Sequence, residues 1–179
     1  DGLVTDTHYE ENGVPEMIIR DGDTTKFRYN AKGLVVYKET DSEIKEIGYS
    51  DNCLKINRVS RSYKSTVRKE WVVFRYDENC NLVFAENSDS TKCELIYDSR
   101  GRISEMYSNG KTMFFTYNND SKPIEIKIPN VGSITVKYNQ FGEVEKVDSE
   151  GGRKIALQVT SEFQQLLELI RPAEVSFSF

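Results

Sequence analysis

The residues best suited to grip a ligand lie between positions 54 and 76. Lys55, Arg58, Arg61, Lys64, Arg68, Lys69 and Arg75 stand there against a single acid, Glu70. The segment carries +6 and leaves −11 for the rest of a chain whose net charge is −5. Tyr63 and the lone tryptophan, Trp71, stand among these cations. Guanidinium and ammonium groups beside an aromatic can hold sulfated or phosphorylated glycans, an acidic protein surface or anionic lipid. The same cations also suit a solvated hairpin whose charges discourage edge pairing, and the sequence leaves both readings open. The candidate binding residues are therefore Arg58, Arg61, Tyr63, Lys64, Arg68, Lys69 and Trp71.

The end of the chain, Ser176-Phe177-Ser178-Phe179, offers a second candidate. Phe177 and Phe179, ahead of a terminal carboxylate, could add a strand to a peptide-binding groove. A terminal phenylalanine also looks like the assembly signal of outer-membrane barrels, but strands of about seven residues with a polar outer face do not suit a lipid-facing wall. The plainer alternative is a last strand that pairs with the protein's own sheet.

Catalytic chemistry has no visible home. The one histidine, His8, has no cysteine or serine placed beside it by motif, so neither a Cys-His nor a Ser-His-Asp arrangement is written in the chain. The glycines occupy turns rather than a phosphate loop. With no C-x-x-C and a single histidine, a structural zinc site is not expected. The reading is a non-enzyme with neither metal nor cofactor. A pI near 5.1 argues against general nucleic-acid binding, and no apolar run approaches the ~20 residues of a spanning helix. The start at Asp1-Gly2 is compatible with removal of an upstream segment.

The elements that must position these residues are set by a repeat. Tyr9, Tyr29, Tyr49, Tyr76, Tyr97, Tyr117 and Tyr138 follow one another at intervals of 20, 20, 27, 21, 20 and 21 residues. A fixed period of this length signals a repeat architecture. A small polar or acidic residue follows each tyrosine, and Gly13, Gly33, Cys53, Cys80, Gly101, Ser121 or Gly142 stands four positions after it. In Tyr97–Tyr117, Asp98 suits the first turn position and Gly101 the left-handed one that closes a bulged hairpin. Asn109-Gly110 is the favoured two-residue hairpin turn at the other end. Where cysteine or serine replaces the turn glycine, the preceding Asn52, Asn79 or Asp120 supports the same geometry. Each repeat thus writes two strands, and alternation places Phe27, Ile47, Val72, Leu95, Met113 and Ile134 on the tyrosine side.

Seven units predict a mainly β protein of consecutive antiparallel hairpins. The strip must curl into a barrel-like or spiral sheet to enclose its apolar face. One short C-terminal helix is expected, N-capped by Ser161 in a capping box with Gln164 and stopped by Pro172. Residues 1–159 read as the repeat array and 160–179 as the helix and terminal strand packed on it, in one structural domain. The long interval from Tyr49 to Tyr76 should make the basic hairpin project or carry a larger loop. Cys53 and Cys80, at equivalent turns two strands apart, would stand ~9–10 Å from each other. That is beyond the ~7 Å a disulfide tolerates, so their pairing is not expected.

The unit Tyr97-Asp98-Ser99-Arg100-Gly101-Arg102-Ile103, with looser copies at Tyr76–Leu82 and Tyr138–Val144, resembles the YD repeat of the RHS family. The resemblance covers residues 9 to 150 in seven degenerate copies. It implies hairpins winding into a spiralling sheet, as in large members whose shells enclose a toxic C-terminal domain. Seven repeats are too few for such a shell, no self-cleaving aspartate core follows them, and the 29 residues after Glu150 are too short for a toxin. The resemblance therefore implies a small stand-alone member or a segment. The expected role is a non-catalytic scaffold whose basic hairpin meets a protein or an anionic glycan surface. The alternatives are a carbohydrate-binding or adhesion module, with recognition in the curled interior, and a piece of a toxin-encapsulating shell. Specific nucleic-acid binding and a transmembrane segment are not expected. By the same resemblance the chain is expected in the bacterial periplasm, at the cell surface or outside the cell.

Overall fold

A computed structural model of the protein describes residues 5–171. It holds one antiparallel sheet of 14 strands in sequence order and a single C-terminal helix. The strands are β1 (Thr5–Tyr9), β2 (Pro15–Arg20), β3 (Asp23–Tyr29), β4 (Val35–Glu39), β5 (Glu43–Tyr49), β6 (Ile56–Tyr63) and β7 (Lys69–Tyr76). They continue as β8 (Leu82–Asn87), β9 (Lys92–Tyr97), β10 (Ile103–Ser108), β11 (Lys111–Tyr117), β12 (Pro123–Ile128), β13 (Gly132–Tyr138) and β14 (Val144–Glu150). The helix α1 is Gly152–Ile170. Strands β1 and β14 are the two edges of the sheet, which is not closed.

Each repeat tyrosine ends an odd-numbered strand, and opposite Tyr9, Tyr29, Tyr49, Tyr97, Tyr117 and Tyr138 the following strand carries a one-residue bulge. The register shifts between Arg28 and Tyr29, Gly48 and Tyr49, Thr116 and Tyr117, and Lys137 and Tyr138. A bulge disturbs the local ladder of hydrogen bonds, and a buried carbonyl without a partner is costly. The tyrosine of the following repeat answers this. The hydroxyls of Tyr29, Tyr49, Tyr97, Tyr117 and Tyr138 donate to the carbonyls of Pro15, Val35, Leu82, Ile103 and Pro123 at 2.7–2.9 Å. Every acceptor lies six residues after the preceding tyrosine. Burial pushes the phenols of Tyr29, Tyr49, Tyr97 and Tyr117 above their ordinary pKa.

The residue after the tyrosine holds the turn. The side-chain oxygens of Asn30, Asp77, Asp98, Asn118 and Asn139 each accept two backbone N–H groups, two and four residues on. This is the local bonding that favours Asn and Asp in turns. Cys80 and Ser121 take the left-handed conformation (φ 62° and 61°), as their place in the repeat predicts. Cys53 does not. That turn is one residue longer, closed by Ser50 N–H to the Lys55 carbonyl, and Leu54 is the left-handed residue (φ 53°). The expectation that Cys53 and Cys80 remain unpaired is also corrected, because both are disulfide-bonded; Cys93 is a free, buried thiol. The spacing argument had assumed equivalent turn positions, which the extra residue removes.

Packing divides the chain into two compact units, Asp1–Val73 and Phe74–Phe179. In the first, Phe27, Val35, Ile47, Val59 and Val72 are buried. In the second, Ala85, Cys93, Leu95, Met106, Met113 and Ile128 line the inner face of the sheet, and α1 covers them. The helix touches β14 and β13 at one edge of the sheet and reaches back to β8, while Phe163 packs edge-on against Phe115 of β11 at 6.0 Å. Nineteen helical residues span roughly 28 Å, matching the roughly 29 Å of six strand spacings. The helix is thus as long as the strip it crosses.

The helix begins nine residues before the expected cap at Ser161, which lies inside it. Ile155 and Val159 extend the buried stripe upstream, a run too short for periodicity alone to separate helix from strand. Close approach fixes where β14 ends. A Cβ on Gly132 would lie 1.8 Å from the Glu150 carbonyl oxygen and one on Gly151 would lie 2.4 Å from that of Val131.

Two predictions follow from the repeat itself. Tyr117→Phe leaves the Ile103 carbonyl without its donor and is expected to cost about 1 kcal/mol, read as a lower urea midpoint at unchanged slope. The Asp98 carboxyl is held below its usual range by the Arg102 side chain first and by backbone N–H groups after it. Its stabilisation is present above the unfolded carboxylate pKa and is lost as pH falls through the lowered folded value. Asp98→Asn keeps the turn, as Asn118 does, so its stability should fall less steeply in acid than that of the parent chain.

Candidate functional site

Strands β6 and β7 form the basic hairpin, at eight residues each the longest strands. The loop 64–68 extends beyond them, and Val67 there is fully exposed. The extra residues of the long repeat therefore lengthen the hairpin and its flanking turns, as the interval suggests.

Register divides the cations between two faces. Lys45, Glu43, Arg61, Tyr63 and Glu70 share the tyrosine side, where β5, β6 and β7 pair. They form one network. Arg61 bonds Glu43 at 3.2 Å and donates to the Tyr63 hydroxyl at 3.2 Å, and Tyr63 donates to Glu70 at 3.1 Å. Lys45 also meets Glu43 at 2.8 Å, and Arg68 meets Glu70 at 2.7 Å. Lys64 pairs with Glu39 at 2.7 Å, which in turn accepts from Tyr37 at 2.8 Å. The Lys64 and Tyr37 hydrogen bonds hold the Glu39 carboxyl below its usual range. Three of the predicted binding cations are thus tied to Glu39, Glu43 and Glu70. Two of those acids lie on strands the segment count did not include.

The opposite face keeps a different set. Arg58, Ser60, Ser62, Lys69 and Trp71 lie there, with Ser60 opposite Trp71 and Ser62 opposite Lys69. Arg58 donates to Ser60 at 3.2 Å, and both Arg58 and Lys69 are exposed without an ion pair among the described residues. Trp71 is half-buried between them. The other predicted site residues, Phe177 and Phe179, lie outside the described residues.

The same face carries residues that sequence reasoning did not select. A groove of about 550 Å³ is lined by His8, Glu16, Met17, Lys26, Phe27, Arg28, Tyr37 and Glu39. His8, Met17, Lys26 and Glu39 form one row across β1–β4 by register, and Arg28 stacks on Tyr37 at 3.8 Å. Alternation could place Arg28 and Tyr37 on the polar face, but nothing in the sequence shows that the face is concave there.

In the second unit the centre of α1's buried stripe is a carboxylate. Glu162 is 2% exposed, accepts from Gln158 at 2.6 Å and lies 3.7 Å from Lys111, while its second oxygen has no partner. Burial, with Glu162 as the next cause, pushes the Cys93 thiol up to about 12. That thiol is protonated and a poor nucleophile at neutral pH.

No protein-family model matches this chain, and no curated protein matches it in sequence. Solved structures do match its shape. The crystal structure of TcdB2-TccC3-Cdc42 aligns over 87% of this chain with a TM-score of 0.56 at 12% identity, and that of TcdB2-TccC3-TEV over 87% at 0.55 and 12%. A Photorhabdus luminescens Tc holotoxin pore carrying a TccC3 mutation aligns over 80% at 0.51 and 11%. The fold is RHS-like. The chain spans only 11–12% of the length of the solved chains it matches, and at this identity the likeness is one of fold alone.

Among the described residues no group of His, Cys, Asp or Glu could hold a metal ion, and no helix is long and apolar enough to cross a membrane. The buried carboxylate gives a test of how α1 is held. Lys111 is 41% exposed and stays hydrated when Glu162 is replaced by an apolar side chain, whereas removing Lys111 leaves a carboxylate at 2% exposure uncompensated. Glu162→Leu should therefore raise the urea midpoint, by about 1–2 kcal/mol. Lys111→Met should lower it by about 1 kcal/mol or more.

Proposed function

We propose that the chain is a non-catalytic β-hairpin scaffold that binds an anionic partner through the outward face of the β6–β7 hairpin. The observation that carries this reading is the division of the hairpin's cations. Arg61, Lys64 and Arg68 are engaged by acids, whereas Arg58 and Lys69 flank Trp71 on one face without an ion pair. Serine hydroxyls at Ser60 and Ser62 lie between them. Two cations, an amphipathic ring and two hydroxyls match a sulfated or phosphorylated glycan better than a neutral surface. The RHS-like fold supports a scaffold role, in a bacterial protein exported to the periplasm, the cell surface or the medium. A segment of a toxin-enclosing shell fits the same architecture.

The groove of the first unit favours a second reading, a carbohydrate-binding module for neutral glycans, in which Tyr37 supplies the stacking ring. Retention on immobilised heparin, compared with a neutral glycan array, separates the two. Arg58→Ser with Lys69→Ser should elute at clearly lower salt, and Trp71→Ala should weaken retention at any salt. Arg61→Ser should change retention little. Unaltered elution of the Arg58/Lys69 variant would remove this face from consideration.

A further inference from the structure

On the central strands of the second unit, free carboxylates alternate with exposed apolar side chains. Cys93, Leu95, Met106 and Met113 are buried on the inner face, so Glu94, Ile96, Glu105, Tyr107 and Phe114 lie on the outward one. Register sets them in two rows. Glu94 stands between Phe84 and Tyr107, and Glu105 stands between Ile96 and Phe114. Each acid is thus flanked by apolar side chains on both neighbouring strands. Ile96, Tyr107 and Phe114 are 54%, 36% and 38% exposed. Glu94 and Glu105 make no side-chain hydrogen bond or ion pair among the described residues. Two outward lysines border the rows, Lys92 opposite Glu86 and Lys127 opposite Phe114.

We propose that this face binds a basic, extended polypeptide segment carrying arginine at alternate positions. Charge selects a cation, because both carboxylates are unanswered within the fold. Ring and acid together select arginine, whose planar guanidinium stacks on an aromatic face and bonds a carboxylate in bidentate fashion. The protein already holds one guanidinium in this way, since that of Arg75 lies 3.8 Å over the Phe84 ring. Spacing selects the extended backbone. Glu94 and Glu105 are diagonal neighbours across β9 and β10, which places them about 7–8 Å apart. Alternate residues of an extended chain are about 6.8 Å apart. The site is separate from the β6–β7 hairpin and opposite to it in charge.

Fluorescence anisotropy of a labelled peptide of alternating arginine and threonine, titrated with the whole chain at low salt, tests this. Saturable binding is expected. Glu94→Gln and Glu105→Gln should each weaken it about two- to five-fold, as for an exposed ion pair. Phe114→Ala should weaken it about five-fold, the worth of an exposed cation–π contact. The urea midpoint of each variant, expected to match that of the parent, separates a lost contact from a lost fold. A lysine–threonine peptide should bind more weakly, because an ammonium has no plane to stack. Glu145→Gln removes the same charge from β14 and should leave binding unchanged. The proposal is overturned by any of four results: no saturable binding, undiminished binding to the Glu94/Glu105 double variant, an equal loss in Glu145→Gln, or displacement of the peptide by spermidine as effective as by unlabelled peptide.

Discussion

The fold depends on one hydrogen bond repeated from hairpin to hairpin, a tyrosine hydroxyl donated to a carbonyl of the preceding repeat. The bulge opposite these tyrosines, on the strand that leaves the turn, disturbs the ladder beside that strand's first carbonyl. A phenol is long enough to reach that carbonyl from the adjacent odd strand, and it covers apolar neighbours on the way. Near-constant spacing follows, because a tyrosine displaced by one residue would point to the other face of the sheet. Two repeats also lend a side chain to the next repeat's tyrosine. Arg102 lies 4.5 Å over the Tyr117 ring and Lys122 lies 5.2 Å over that of Tyr138. Stability in such an array is a sum over neighbours.

A ladder of this kind organises one face but does not cover it. In the second unit the cover is α1, laid across the strands, with Ile155, Val159 and Leu169 buried on the helix and Met106, Met113 and Ile128 buried on the sheet. Methionines suit this surface because an unbranched thioether fills the irregular gaps between a helix and a twisted sheet. Glu162 interrupts the apolar stripe at its centre. Its partial satisfaction by Gln158 and Lys111 makes it a poor contributor to stability, yet it ties the helix to one place along the β10–β11 turn, where Gln165 also accepts from Asn109.

Much of this was legible in the sequence for a definite reason. Tyrosine spacing, the Asx residue after it and the left-handed turn position are local constraints, each imposed on a few consecutive residues. They predicted the strands, the Asn109-Gly110 turn and the left-handed Cys80 and Ser121. The failures were not local. Leu54 took Cys53's expected conformation because the loop gained one residue, a difference that position counting from Tyr49 conceals. The helix start was misplaced because Ile155 and Val159 become a helical stripe only in the presence of the sheet they cover. The groove at Tyr37 depends on the relief of four strands, which no pattern along one strand records.

The charge of the basic segment shows most clearly how sheet register changes a sequence reading. Counted along the chain, residues 54–76 hold seven cations and one acid; counted across the sheet, Glu39 of β4 and Glu43 of β5 enter as well, one on each face. Partly exposed pairs of this kind are worth little stability one at a time, but they fix where positive charge is available. On the tyrosine side, Arg61 is held in a relay from Glu43 through Tyr63 to Glu70, and little positive field reaches solvent there. On the other side, Arg58 and Lys69 have no acid facing them in the pairs of β6 with β7, and Trp71 supplies a flat apolar surface between them. Selectivity toward an anion must then come from the outward face, because Arg61, Lys64 and Arg68 are already answered within the fold.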